Sequence, residues 1–347
     1  MTVIIGLVAD RHAFLSATAL LLMLRDRATT LRSVVFVAGN QEPTAAQSAV
    51  LVSAGAWRVV RLNPMPIPEG NFSAVLGAGR HGRRIMFERL GLWSHDEYHK
   101  ILLLDLDLHV ARNIDEMATF PRNTFSPNIC QYGCAHRVAG HNSGVMVIGP
   151  SRARFDEMVA YAKARANGAA VGRAQRLPLR QSRQRSVRRQ PLHELLVDQE
   201  QSFLAEFYAD VHGINIEADA PERAGHEWTW RSFVDTSLCV GRDTRDISPC
   251  GGVVHIMSRR YNARPGDCNK CPASYRPSLV HFACAAKPFQ RYSIKASRRY
   301  WEAMHTKAAV DCGRASVCSS CVAESQLGYL VAFEHAEALW NGTKLQT

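Results

Sequence analysis

Apolar residues recur along this chain in two periods. Val3-Ile4-Ile5-Gly6-Leu7-Val8, Ser33-Val34-Val35-Phe36-Val37 and Trp57-Arg58-Val59-Val60-Arg61-Leu62 are short and rich in β-branched residues, a pattern that predicts strands. Between them, Ala13 to Arg27 and Ala45 to Ser53 predict helices. Strand, helix, strand, helix, strand in that order predicts a parallel sheet of nucleotide-binding topology. A Pro- and Gly-punctuated stretch from Pro64 to Gly82 follows, then a predicted helix from His81 to Leu92. Later, Asn142 to Pro150 predicts a short strand entered through a polar turn. Helices are expected over Arg152 to Arg165 and Leu192 to Tyr208. From Ala323 to Trp340, Leu327, Leu330, Val331, Phe333 and Leu339 have helical spacing, so this tail is expected to pack back on the body. No internal repeat is visible.

One segment carries chemistry as well as pattern. In Lys100-Ile-Leu-Leu-Leu-Asp105-Leu-Asp107-Leu-His109-Val110, four apolar residues predict a buried parallel strand that ends in two carboxylates one residue apart. Alternate residues of a strand point the same way, so Asp105 and Asp107 are expected to converge on one hard divalent cation while Leu106 faces the packing side. The carboxyl ends of strands are where open α/β sheets bind ligands, which makes this a candidate metal-phosphate site.

Charge and cysteines change the picture less than they first suggest. The net charge is +11, but seven arginines and no acids lie between Gly168 and Pro191, and removing them leaves 11 − 7 = +4. The basic character is one local segment, also rich in Gln, Ser and Pro. It reads as a solvated flexible insertion over 168–191 or as a contact for an anionic partner. No stretch reaches the roughly 18 to 20 apolar residues that span a bilayer. Ala13 to Leu24 reads as the first helix of a domain, with a signal anchor as the alternative. A cytoplasmic location is expected, with a secretory compartment as the alternative. The ten cysteines include Cys268-x-x-Cys271 and Cys318-x-x-Cys321, compatible with zinc, disulfides or free thiols.

Several segments occur in an order that resembles one family, the glycogenin-like members of glycosyltransferase family 8. They are Ala28 to Val37, Arg89-Leu-Gly-Leu-Trp93, Lys100 to Asp115 with its Asn113-Ile-Asp115 end, His141-Asn142-Ser143-Gly144-Val145, Asp198-Gln199, Arg260-Tyr261-Asn262, Val280-His281-Phe282 and Lys287-Pro288-Phe289. The resemblance implies an α/β type A glycosyltransferase fold over residues 1–290. This is a single nucleotide-sugar-binding domain with a mixed, mostly parallel central sheet flanked by helices, followed by a Cys-containing helical extension over 291–347. It implies transfer of a hexose from a UDP-sugar to an acceptor hydroxyl with retained anomeric configuration. The acceptor, a glycan, a protein or a small molecule, is left open, and the family allows a homodimer.

Residue roles follow from the same resemblance. Asp105, Asp107 and His281 would ligate Mn²⁺ or Mg²⁺, and Lys287 would face the diphosphate. Asp198 and Gln199 would serve the reacting sugar, stabilising an oxocarbenium-like centre or positioning the ring. Leu7, Asp10, Arg89, Leu106, Asn142 and Ser143, with the two metal carboxylates, would bind the donor. The pattern also departs from the family. Asp10 stands where an asparagine is usual, Cys284 where a small glycine is usual, and no Asp or Glu occurs from Met117 to Phe155. Those changes touch the sugar half of the site and keep a second reading open, a catalytically weak protein on the same fold that binds a sugar nucleotide or a glycan. A haloacid-dehalogenase-type phosphatase also opens on a strand and Asp-x-Asp, but it expects Thr or Val where His109 stands.

Overall fold

The structure is a computed structural model of the chain, and it describes residues 2–8, 11–38, 43–62, 65–66, 88–127, 141–166, 199–212, 230–233, 254–257, 259–263, 277–282 and 320–344. Its first part follows the predicted alternation. Strands β1 (Thr2–Val8), β2 (Arg32–Val37) and β3 (Ala56–Arg61) pair in parallel, joined by helices α1 (Arg11–Asp26) and α2 (Ala45–Ala54). Helix α2 starts where the sequence supplies a capping box: Gln47 N–H donates to Thr44 Oγ1 at 3.2 Å, and Thr44 N–H donates to Gln47 Oε1 at 2.8 Å.

Strand β4 (Lys100–Leu104) pairs in parallel with β1 on the side away from β2. Strand order therefore reverses between β1 and β4, and such a switch point opens a crevice at the carboxyl ends of the strands. Beyond β4 the sheet is mixed. β7 (His141–Ile148) runs antiparallel to β4, and β6 (Thr124–Pro127), β9 (Val254–Met257) and β8 (Trp230–Phe233) complete the order β3-β2-β1-β4-β7-β6-β9-β8. The β7–β6 and β9–β8 pairs are antiparallel too, and the β6–β9 pair is parallel. The expected mixed, mostly parallel sheet is thus wholly parallel over β3-β2-β1-β4 and mixed beyond it. A second, two-stranded sheet pairs β5 (Leu108–Val110) antiparallel with β10 (Leu279–His281).

The core lies in two layers because the central strands are apolar on both faces. Ile101 and Leu103 of β4, with Met146 and Ile148 of β7, pack toward α3 (Arg152–Ala166) and α4 (Gln199–His212). Leu102, Leu104, Val145 and Val147 pack toward α1, α2 and α5 (Ser320–Lys344). Helix α1 is buried continuously from Phe14 to Leu24 because α5 covers the side that the sheet does not, with Phe14 and Trp340 in contact at 5.2 Å. That double cover accounts for an apolar run that is not confined to one stripe. No described helix is long and apolar enough to cross a membrane.

Several expectations shift in detail. The predicted helix ending at Leu92 is described only from Glu88, and Arg89–Ser94 is a 3₁₀ helix. In α5, Leu330 and Phe333 are buried as expected, but Leu327, Val331 and Leu339 are half-buried. Tyr329, Ala332 and Ala336 supply the rest of the buried face. The segment 168–191 and Cys268, Cys271, Cys312 and Cys318 lie outside the described residues, and Cys321 is described only as a backbone position of α5.

Two of the ordered motifs prove to be in contact. Asn113 Nδ2 donates to the carbonyls of Arg27 and Ala28 at 3.1 and 3.0 Å, holding a turn in which Ala28 has φ 51°. Asp115 accepts from the backbone and hydroxyl of Thr30, each at 2.9 Å, and from the Thr29 hydroxyl. Burial alone would raise the Asp115 pKa, but these donors outweigh it and hold the carboxyl below its ordinary value. Lys100 likewise braces the backbone. Its buried ammonium donates to the carbonyls of Ala118, at 2.7 Å, and Phe120, which end the 3₁₀ helix Asp115–Thr119.

Candidate metal centre

The chain leaves β4 at Leu104, and Asp105 to Asp107 form a turn rather than a continuing strand. The carboxylates converge because that turn is held at both ends: the Asp105 amide donates to the Gly144 carbonyl at 2.7 Å, and the Asp107 carbonyl accepts from the Phe282 amide at 3.0 Å. The first bond follows from the antiparallel register that sets Leu104 opposite Val145. The second extends the register that sets His281 opposite Leu108. Residues far apart in sequence are thereby brought to the carboxyl end of β4, beside the switch point.

His281 Nε2 lies 3.1 Å from Asp107 Oδ1 and 3.5 Å from Asp105 Oδ2, and the three side chains offer ligand atoms within 4.8 Å of one another. Neighbouring ligands of an octahedral ion with bonds of about 2.1 Å sit about 3 Å apart, so two carboxylates and an imidazole at this spacing fit a hard divalent cation. The orientation of the imidazole is set from behind. His281 Nδ1 donates to Asn262 Oδ1 at 2.8 Å, which directs Nε2 toward the carboxylates. Asn262, fully buried, donates in turn to Asn142 Oδ1 at 2.9 Å and Ser126 Oγ at 2.6 Å. Asn142 Oδ1 also accepts from the Gly144 amide at 2.9 Å.

Gly144 is required by space. A Cβ on it would lie 2.2 Å from His281 Cε1 and 2.8 Å from Asp105 Oδ2. The electrostatics are those of a compact, mutually neutralising cluster. Burial would raise the pKa of Asp105, but the Arg89 guanidinium against its carboxylate, together with His281, holds it below the ordinary value. Burial would lower His281, but Asp107 and Asp105 outweigh that and raise it to about 9.

The structure assembles Asp105, Asp107, His281, Arg89 and Asn142 around one point, with Ser143 next to Asn142 on β7. Arg89, expected on donor grounds, is buried and ion-paired with Asp105. Ser143 is engaged by Gln201 Oε1, which accepts from its amide at 3.2 Å and its hydroxyl at 3.3 Å. Leu106 is half-buried against the core, and its carbonyl accepts from the Tyr329 hydroxyl at 3.0 Å. Leu7 is described as a backbone position of β1, paired with Phe36, and Gln199 as the first backbone position of α4. Asp10, Asp198 and Lys287 lie outside the described residues.

Sequence reasoning passed over four residues of the surround. Asn262 belongs to a motif it had marked, but without a role. Ser126, Gln201 and Tyr329 carried no signal. A neutral polar side chain acquires its meaning from a partner across the fold, and sequence spacing does not reveal that partner.

No protein-family model matches the chain, and no curated protein sequence matches it. Among solved structures it is similar to the galactosyltransferase LgtC, determined with donor and acceptor sugar analogs, at 17% identity over 87% of this chain and 94% of that one, with a TM-score of 0.49. It is similar also to the glycosyltransferase GlyE of Streptococcus pneumoniae TIGR4, at 12% identity over 86% of this chain and 59% of that one, TM-score 0.45. A third is the bifunctional glycosyltransferase WbbM, at 11% identity over 83% and 46%, TM-score 0.45.

Proposed function

We propose that this chain is a glycosyltransferase that moves a hexose from a UDP-sugar to an acceptor hydroxyl with retention of configuration, using Mn²⁺ at Asp105, Asp107 and His281. One observation carries the reading: two carboxylates and a histidine whose Nδ1 is tied to Asn262 converge beyond β4, beside the strand-order switch point. The order of the resembling motifs supports the same reading, since five of them, those of Arg89, Asp105, Asn142, Asn262 and His281, meet at this point.

A divalent cation held there supplies Lewis-acid stabilisation of the departing nucleoside diphosphate. The chain's own residues do the rest. Arg89, against Asp105, keeps that carboxylate ionised and adds positive charge beside the cluster. Asn262 and Gly144 let His281 and the turn approach closely. Asn142, Ser143, Leu7, Asp10 and Leu106 are assigned to holding the donor, Lys287 to its diphosphate, and Asp198 and Gln199 to the reacting sugar.

Incubating the purified protein with a panel of UDP-sugars, with and without Mn²⁺, tests the proposal by release of UDP and by the mass of the products. Mn²⁺-dependent release that disappears in Asp107→Ala supports it. Tight UDP binding without turnover of any donor would instead favour a binding protein on this fold.

A further inference from the structure

Helix α5 reaches the metal turn at a glycine. Gly328 lies against His109 of β5, and a Cβ there would stand 2.2 Å from His109 Cε1, so the close approach of helix to strand depends on glycine. The next residue, Tyr329, is fully buried. Its hydroxyl donates to the carbonyl of Leu106, the residue between the two carboxylates, at 3.0 Å. Its ring meets Phe282, the neighbour of His281, edge-on at 5.6 Å.

We propose that Tyr329 is a positioning residue for the metal turn, setting the spacing of Asp105, Asp107 and His281 through the Leu106 carbonyl and the Phe282 ring. This rests on the reading of those three side chains as cation ligands. The peptide plane that carries the Leu106 carbonyl also carries the Asp107 amide, so a rotation of that plane swings Asp107 relative to Asp105. The buried hydroxyl opposes the rotation, because turning the carbonyl away would break the hydrogen bond between them. Helix α5, none of whose described side chains belongs to the cluster, thereby becomes part of what makes the cluster bind.

The test is Mn²⁺ affinity of the full chain, read from the electron paramagnetic resonance signal of free Mn²⁺, for the parent, Tyr329→Phe and Phe14→Leu. Phe14→Leu loosens the same α1–α5 contact at Trp340, about 16 Å along the helix from Tyr329. Thermal melts report the stability of each variant. Tyr329→Phe is expected to weaken Mn²⁺ roughly tenfold, in the range of outer-shell partners, while Phe14→Leu stays within about twofold of the parent. Should Tyr329→Phe not fold, Phe282→Leu, which removes the ring that Tyr329 meets edge-on, is expected to shift affinity in the same direction. Unchanged affinity in the folded Tyr329 variant overturns the positioning role and leaves the metal reading standing. Equal weakening in both helix variants overturns it as general loosening. A parent that does not bind Mn²⁺ removes the metal reading and this role with it.

Discussion

The Nδ1 of His281 donates to the side-chain oxygen of Asn262 at 2.8 Å, and this bond decides which nitrogen faces Asp105 and Asp107. Replacing Asn262 by Leu keeps the approximate volume but removes the acceptor and the link to Asn142. Mn²⁺ affinity is expected to fall roughly 10- to 100-fold, the usual effect of losing an outer-shell partner, measured by titration of the metal. Unaltered affinity would show that ring packing alone orients the histidine.

Asp107 supplies an oxygen 3.1 Å from the imidazole and belongs to the three-ligand cluster. In Asp107→Ala, UDP-sugar turnover is expected to drop roughly 100-fold or more, since a major source of charge stabilisation at the leaving group goes with it. The rate of UDP release at saturating Mn²⁺ checks this, and a variant that keeps half the parent rate would exclude the ligand role.

Gly144→Ala inserts a methyl group where His281 and Asp105 already stand, with 2.2 Å to the ring carbon. Because the nearest atoms belong to a buried ring rather than to a flexible side-chain tip, accommodation means moving His281. We expect a loss of about 1–3 kcal/mol in stability together with loss of Mn²⁺ binding, read by urea denaturation and metal titration on the same sample.

Asp115 gathers hydrogen bonds from Thr29 and Thr30 but takes no part in the metal cluster. Asp115→Ala is expected to cost about 1–2 kcal/mol in urea denaturation and to leave Mn²⁺ affinity unchanged. A clear fall in affinity would assign this motif a role beyond holding the α1–β2 turn.

His109 and His141 are buried, and burial, aided at His109 by Arg27, lowers each pKa from the ordinary 6.5 to about 4. Between those values the unfolded chain binds protons that the folded chain does not. The stability from keeping these rings neutral is therefore complete above pH 6.5 and is lost as pH falls toward 4. At pH 5 the loss is roughly 2 kcal/mol per histidine. Urea midpoints at pH 7 and pH 5 check it, and equal midpoints would mean that both rings take up a proton in the folded protein.

The legible part of this fold is the part that depends on local periodicity. Apolar runs of about five residues around Val35 and Leu102 specify strands buried on both faces, and Val59-Val60 between arginines specifies a half-exposed edge strand. The Thr44 and Gln47 pair specifies a helix start through bonds made within four residues. The Asp105 and Asp107 pair is readable as a candidate metal site, though for a geometry that the chain does not use: a turn, and not strand alternation, brings both carboxylates together.

By itself, then, the sequence determined the alternating strands and helices of the first half, the candidate ligands and their order, because propensity, pattern and ligand chemistry reside in single residues and near neighbours. Only the tertiary structure decided that β7 runs antiparallel beside β4, that His281 faces the carboxylates through Asn262, and that Tyr329 of α5 holds the turn between them. Those are relations between segments up to 223 positions apart, as with Tyr329 and Leu106. They arise where burial obliges a carbonyl, an amide and a ring nitrogen to find partners, and the identity of each partner is set by packing rather than by proximity along the chain.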